Sequence, residues 1–197
     1  MPSRAEQRED THARVLSAAS RQFYERGFTQ TTIRDIAQAA GVSTGTVMLV
    51  GDKPALLVHA FDEQIARIHA ERHDAHLPTG IPAQGAAGQI LGLLTPFLDL
   101  FTSRGDLARV YASILVEGRT DSTLFTDLAA TLISEMAQVL RAGLAESKAV
   151  SLARSIYLAY IGTLFTWPRS LDTDTAALSA SLLETITVIC EHKAVNA

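Results

Sequence analysis

The sequence predicts an all-α protein of about nine helices. Apolar residues recur at intervals of three and four along almost every segment, and strand-like alternation is nearly absent. Glycine, proline and N-capping side chains stand between these segments, at the places where helices end and begin. No period of 20 to 50 residues repeats, so a solenoid of stacked repeats is not expected.

The first helix is predicted from about Arg8 to Arg26. Leu16, Ala19 and Phe23 recur at helical spacing and form its apolar stripe. Gly27 follows directly, and glycine readily adopts the left-handed conformation that ends a helix. The chain therefore opens with a long amphipathic helix.

Three more helix starts are marked by capping signals. Thr32 is followed three residues later by Asp35, the spacing of a capping box, and Gly41 ends the short helix that it opens. Ser43 caps a third helix. Asp52 caps a fourth, longer one, in which a proline occupies the first turn, where a missing N–H costs least.

Five further helices are predicted after a stretch rich in proline and glycine. Their apolar stripes recur at offsets of three and four. One of them, over residues 151–168, is apolar on nearly every side and must therefore be covered on every side. The five stripes occupy residues 90–101, 107–115, 125–139, 151–168 and 178–189.

Composition narrows the class of protein. The 197 residues include a single cysteine, Cys190, which excludes an intramolecular disulfide framework, and no signal peptide is recognisable. We therefore expect a cytoplasmic location. The formal charge is −4, but residues 1–60 hold seven basic and six acidic side chains, so the acidity belongs to the rest. The total charge therefore does not argue against nucleic-acid binding.

The second and third helices have the spacing of a helix-turn-helix. Two short helices meet at a glycine corner, and in such a unit the second helix enters the major groove of DNA. Val42 and Val47 are predicted to face inward. An αα-hairpin with a glycine turn has the same spacing and stays open at this point. The residues that would face the groove are Thr44, Gly45, Thr46 and Met48.

Two longer runs resemble a known family. The runs Ala13-Arg-Val-Leu-Ser-Ala-Ala-Ser-Arg-Gln-Phe-Tyr-Glu-Arg-Gly-Phe28 and Thr31-Thr-Ile-Arg-Asp-Ile-Ala-Gln-Ala-Ala-Gly-Val-Ser43, followed by Gly45-Thr46, resemble the DNA-binding domain of the TetR/AcrR transcriptional regulators. The resemblance implies a homodimeric regulator, usually a repressor, that a small ligand releases from its operator. It also implies a DNA-binding domain over residues 1–51 and an effector-binding and dimerisation domain over residues 52–197.

The resemblance assigns DNA contacts by position. Thr32 and Arg34 would meet the DNA backbone, with a base as the alternative contact of Arg34, and Lys53 would meet a phosphate. The third helix would place Ser43, Thr44, Gly45, Thr46 and Met48 at the groove. This chain departs from the family where an aromatic segment is usual, because residues 47–51 contain no aromatic side chain and Met48 stands in place of a tyrosine. The alternative function is therefore a helical ligand- or partner-binding dimer with impaired operator binding.

The C-terminal part is predicted to bind a small apolar or aromatic effector and to form the homodimer through helices around 151–168 and 175–191. Operator DNA is expected to be double-stranded and palindromic. No catalytic grouping, cofactor, membrane association or metal is predicted. His69, His73 and His76 could share a helical face as metal ligands, although a solvated helix end is the favoured interpretation. The large side chains expected around the effector are Leu94, Phe97, Phe101, Tyr111, Phe125, Tyr157, Tyr160, Phe165 and Trp167.

Overall fold

The computed structural model describes residues 3–74, 85–118, 120, 123–166 and 175–191, and the side chains of all of these except 73–74 and 123–126. Nine helices account for most of the described residues, and no strand occurs among them. The predicted all-α class is therefore confirmed. The helices are α1 (Arg4–Gln30), α2 (Ile33–Ala40), α3 (Thr44–Val50), α4 (Lys53–Asp74), α5 (Gly85–Ser103), α6 (Gly105–Glu117), α7 (Thr123–Leu140), α8 (Glu146–Thr166) and α9 (Thr175–Glu191).

Local signals explain both ends of α1. Its start lies four residues before the predicted Arg8, because Ser3 and Glu6 form a reciprocal capping box at the N-terminus. Near the other end, Gly27 has φ 80° and ψ 166°, so the helical backbone is interrupted where the sequence predicts a stop. One further turn reaches Gln30 beyond this kink.

The first compact unit comprises Met1–Ile65 and Arg104–Ser122. Within it α1 packs against α2, α3 and α6, and α2 packs against α3. Phe23, Ile36 and Val47 are essentially inaccessible to solvent, and each such side chain contributes about 1.5–3 kcal/mol through burial. The predicted division between residues 1–51 and 52–197 concerns function rather than packing, and it stays a prediction.

The second compact unit comprises Ala66–Ser103 and Thr123–Ala197. Here α5 packs against α7 and α9, and α8 packs against α7 and α9. The core contains Leu94, Met136, Ile156 and Leu182, all fully buried. Because α8 buries Ile156 and still exposes 64% of Leu158, this helix has apolar residues on both its covered and its open faces.

Candidate functional site

The corner between α2 and α3 is held by two caps. The backbone N–H of Asp35 donates to Thr32 Oγ1 at 3.1 Å, and the Thr32 N–H donates to Asp35 Oδ2 at 2.9 Å. The hydrogen bonds from Thr32, more than the nearby Arg26 guanidinium, hold the pKa of Asp35 below its usual value. Gly41 then has φ 66°, the left-handed conformation that turns the chain towards α3. The predicted capping box and glycine turn are confirmed.

The third helix is oriented by one buried residue. Val47 is fully buried, whereas Val42 is half-buried at the corner. Around the rest of the helix Thr44 and Gly45 are exposed, and Met48 is 53% exposed. The open face of α3 therefore carries three of the four residues that were predicted to face the groove, whereas Thr46 is half-buried.

Leu49 is an exposed residue of α3 that was not among the predicted DNA contacts. Its side chain is 89% exposed, the largest value among the exposed large apolar residues of the described structure. Its place five positions after Thr44, on the side of the helix away from Val47, is the signal that could have identified it.

Several hydroxyls expected to contact DNA already have partners within the protein. Thr32 Oγ1 donates to Asp35 Oδ2 at 2.7 Å. The hydroxyls of Ser43 and Thr46 lie 2.9 Å apart and share a hydrogen bond, and the Thr46 N–H donates to Ser43 Oγ at 3.1 Å. These three hydroxyls therefore stabilise the helix starts, and Thr44 is left with the hydroxyl best placed to meet a ligand.

The two basic residues of the candidate interface differ in their surroundings. Arg34 is exposed near the start of α2. Lys53 Nζ lies 4.3 Å from the centroid of the Phe28 ring, a cation–π contact, and burial lowers the pKa of this lysine. Phe28 therefore limits the positions that the Lys53 ammonium can occupy.

Thr31 connects the end of α1 to this interface. It is completely buried, and its hydroxyl proton is shared between the carbonyl oxygens of Gly27 at 2.8 Å and Gln22 at 3.0 Å. Thr31 lies in the run that resembles the TetR/AcrR family, but no role was predicted for it. Its hydroxyl stabilises the turn that leads into α2.

Comparison with known proteins identifies this unit. Residues 15–49 match the family of bacterial regulatory proteins of the TetR type. The helix-turn-helix segment is therefore similar to the TetR family. A segment of 64 residues is 38% identical to the HTH-type transcriptional regulator TtgR of Pseudomonas putida, and equally to the probable HTH-type transcriptional regulator ArpR of the same species. This segment covers 32% of the chain and 30% of the length of the curated relatives that it matches.

The TetR-type fold extends beyond the matched segment. A TetR transcriptional regulator from Rhodococcus sp. RHA1 superposes with a TM-score of 0.65 at 14% identity, covering 92% of this chain and 95% of the other. FadR of Thermus thermophilus, a TetR-family repressor solved with lauroyl-CoA, gives 0.64 at 22% identity, with 91% and 92% covered. At these identities the comparison shows a shared fold.

The first unit also contains an arginine that links α1 and α6. Arg104 Nε and Nη2 donate to the two carboxylate oxygens of Asp106, both at 3.2 Å, and this pairing holds the pKa of Asp106 low. The same guanidinium donates to the carbonyl of Phe23 at 3.3 Å and lies 4.9 Å from the ring centroid of Tyr24. No sequence pattern indicates this pairing.

The large side chains expected around the effector are divided between the two units. Tyr111 belongs to the first unit, where its hydroxyl donates to Asp62 Oδ1 at 3.1 Å and its ring stacks 4.6 Å from Phe61. The side chain of Phe125, and Trp167, lie outside the described residues. The members described in the second unit are Leu94, Phe97, Phe101, Tyr157, Tyr160 and Phe165.

Most of these second-unit residues are covered. Leu94, Phe97 and Phe101 lie on α5 and are at most 6% exposed. Tyr160 is buried on α8, 6.2 Å ring to ring from the half-buried Tyr157, and burial raises the pKa of Tyr157 to about 12. Both phenols are therefore neutral near pH 7 and can donate hydrogen bonds.

A polar cluster adjoins Phe97. The ring of His69 lies 4.9 Å from that of Phe97, and Arg72, which stacks on the same ring at 5.4 Å, donates to Glu135 Oε2 at 2.7 Å. His69 is only 9% exposed, and burial lowers its pKa. The expectation of a solvated helix end is wrong for His69, because α5 and its phenylalanine cover the imidazole.

The alternative of a metal site formed by His69, His73 and His76 involves residues of which the structure describes His69 in full. Among the described residues no group of three histidine, cysteine or carboxylate side chains is placed to hold a metal ion. The side chain of His73, and His76, lie outside those residues. That alternative stays a prediction.

The helices expected to form the dimer expose apolar side chains. Among the described residues one helix, α8, is long and apolar enough to cross a membrane, and 22% of its apolar 18-residue stretch is buried. Leu158 and Phe165 on α8, and Val188 on α9, are 64%, 37% and 55% exposed. Because a helix that packs against a second protein chain meets the same criterion, length and composition alone assign no membrane to it.

Proposed function

We propose that the protein is a cytoplasmic, homodimeric, ligand-responsive transcriptional repressor. The observation that carries the proposal is the open face of α3, presented by a capped helix-turn-helix in a TetR-family domain. Residues 1–51 act as the DNA-binding domain, and residues 52–197 bind the effector and the second subunit.

The DNA contacts lie on α3 and at the starts of α2 and α4. Ser43, Thr44, Gly45, Thr46 and Met48 meet the major groove, while Thr32, Arg34 and Lys53 meet the backbone. Because the first 60 residues carry seven basic and six acidic groups, we expect few phosphates to be neutralised and a plot of log K against log salt with a slope of about −4.

The dimer is supported by the exposed apolar residues of α8 and α9. These helices pack against each other, so Leu158, Phe165 and Val188 can contribute to one continuous surface. A two-fold dimer repeats the recognition helix about 34–36 Å away, one turn of DNA, and therefore requires a palindromic operator.

A small apolar or aromatic effector is supported by the second unit. Its buried aromatic residues offer apolar surface, and the neutral phenols of Tyr157 and Tyr160 offer hydrogen bonds without formal charge. The Thermus thermophilus FadR that shares this fold holds lauroyl-CoA, a ligand with a long apolar chain.

The DNA-binding function is tested by selecting duplexes from a random pool with the full-length protein and measuring binding by gel shift. We expect one palindromic sequence to be enriched. Lys53→Ala should weaken binding to all sequences alike and reduce the magnitude of the salt slope by about two, because it removes one phosphate contact from each of the two subunits. Lys148→Ala, at an exposed lysine of α8, is the matched control and should leave both quantities unchanged.

Absence of any enriched duplex would contradict the repressor proposal and would favour a helical ligand- or partner-binding dimer whose operator binding is impaired. The missing aromatic segment at residues 47–51 is the observation that favours this second function. Under it, the same protein would still dimerise and still be stabilised by an apolar effector in a thermal-shift screen.

The dimer is tested by sedimentation at micromolar concentration. Wild-type protein should have twice the mass of one chain, and Leu158→Glu should dissociate it, since a carboxylate would be buried without a partner. Val116→Glu places the same charge on an exposed apolar site of α6 and should leave the dimer intact. A monomeric wild-type protein would remove the geometric argument for a palindrome.

A further inference from the structure

The open face of the recognition helix is mainly apolar. At 100° per residue, Thr44, Gly45, Met48 and Leu49 occupy one arc of about 140° on α3, and this arc excludes the buried Val47. Met48 is 53% exposed and Leu49 is 89% exposed. Two large apolar side chains therefore stand on the surface that the proposed function presents to DNA.

This face cannot recognise bases in the commonest way. Bidentate recognition of a base edge uses arginine, lysine, asparagine or glutamine, and none of these occurs between Thr44 and Val50. The hydroxyls of Ser43 and Thr46 are bonded to each other. Thr44 contributes the one hydroxyl of the arc. The remaining base recognition by this face of α3 must therefore come from apolar contact.

The major groove offers one apolar group to such a surface. Among the four bases, thymine alone presents a methyl group, at C5. Met48 and Leu49 lie about 6 Å and 7.5 Å along the helix axis from Thr44, at 1.5 Å per residue, and the major groove, about 12 Å wide, admits an α-helix. Both side chains can therefore reach base edges when α3 lies in the groove.

We propose that Met48 and Leu49 select thymine in each half-site of the operator through contact with its C5-methyl group. This inference rests on the proposed DNA-binding function and extends it, because it names the base and the chemical group that are recognised. It predicts that the preferred duplex has thymine at fixed positions contacted by the recognition helix.

The test replaces thymine by deoxyuridine, one position at a time, in the duplex selected by the full-length protein. Deoxyuridine lacks the C5-methyl group and keeps the same hydrogen-bonding edge. We expect wild-type affinity to fall about fourfold for each contacted methyl group that is lost. Leu49→Ala should abolish the sensitivity at one position, and Met48→Ala at another.

Each variant removes an exposed side chain, and alanine favours helix at least as strongly as leucine or methionine, so folding should be preserved and is checked by circular dichroism. Val116→Ala, which shortens a 79% exposed apolar side chain on α6, is the matched control and should retain the full sensitivity. An altered duplex shape would affect all three variants alike.

The outcomes separate the two proposals. If a duplex is bound specifically but deoxyuridine changes nothing, or changes binding equally in wild type, Leu49→Ala and Met48→Ala, then thymine-methyl recognition is wrong while the DNA-binding function stands. If no duplex is enriched, the proposed function fails and this inference fails with it.

Discussion

Replacing the buried hydroxyl of Thr31 tests how the recognition unit is held against α1. Valine has almost the same shape as threonine and suits the extended backbone at this position, where φ is −86° and ψ is 131°. Thr31→Val therefore changes little except the donor that serves the carbonyl oxygens of Gly27 and Gln22.

The loss should cost about 1–3 kcal/mol in the free energy of unfolding, because the hydroxyl is completely buried and the two carbonyls lose its hydrogen bond. For a chain of this length each kcal/mol corresponds to a fall of about 2–4 °C in Tm. Urea unfolding followed by circular dichroism, together with thermal unfolding, measures both quantities.

Thr131→Val is the matched control. Thr131 is exposed on α7, and its hydroxyl donates to the carbonyl of Asp127 in its own helix at 3.1 Å. Water can replace that bond, so we expect a change below about 0.5 kcal/mol. The reasoning is refuted if Thr31→Val is as stable as wild type, or if the control loses as much as Thr31→Val.

Three further outcomes are expected. Gly45→Ala should raise the free energy of unfolding by up to about 1 kcal/mol, because alanine favours helix and its Cβ would meet only Ser43 Oγ at 3.6 Å. The same substitution should weaken DNA binding in a gel shift, whereas Gly92→Ala should not change it. Unchanged DNA binding by the Gly45 variant would contradict a close approach of α3 to DNA at this residue. The free energy of unfolding in urea should fall as the pH drops below about 6.5, because His69 is protonated in the unfolded chain while burial keeps it neutral in the folded protein. An equal dependence of this free energy on pH in His69→Gln would disprove the assignment. Arg104→Ala should lower the free energy of unfolding by about 1–2 kcal/mol in the same urea assay, because it removes the hydrogen bonds to Asp106 and to the Phe23 carbonyl. Arg109→Ala, at an exposed arginine of α6, should lower it by less than about 0.5 kcal/mol. Equal losses in the two variants would refute the contacts assigned to Arg104.

The ends of the N-terminal helices were predictable because their causes are local. The capping box of Thr32 and Asp35, the left-handed Gly41 and the cap at Ser43 each depend on residues at most three positions apart. The spacing of these signals also predicts the helix-turn-helix, and the burial of Val47 follows from its position on the helix.

The exposure of individual residues was harder to predict. Leu49 looks like a core residue by type, yet it points away from the packed side of a short helix and is 89% exposed. His69 shows the opposite error, since it lies in a polar stretch of α4 and is covered by Phe97 of α5. Residue type and spacing along one helix do not say which neighbour will cover it.

The sequence by itself determined the helical class, the helix-turn-helix and its caps, because periodicity and capping are properties of short segments. Only the tertiary structure decided which distant groups meet. Arg104 reaches the Phe23 carbonyl across 81 positions, and Arg72 reaches Glu135 across 63. Such pairs form when packed helices bring remote side chains together in three dimensions, and no short-range pattern in the chain encodes that proximity.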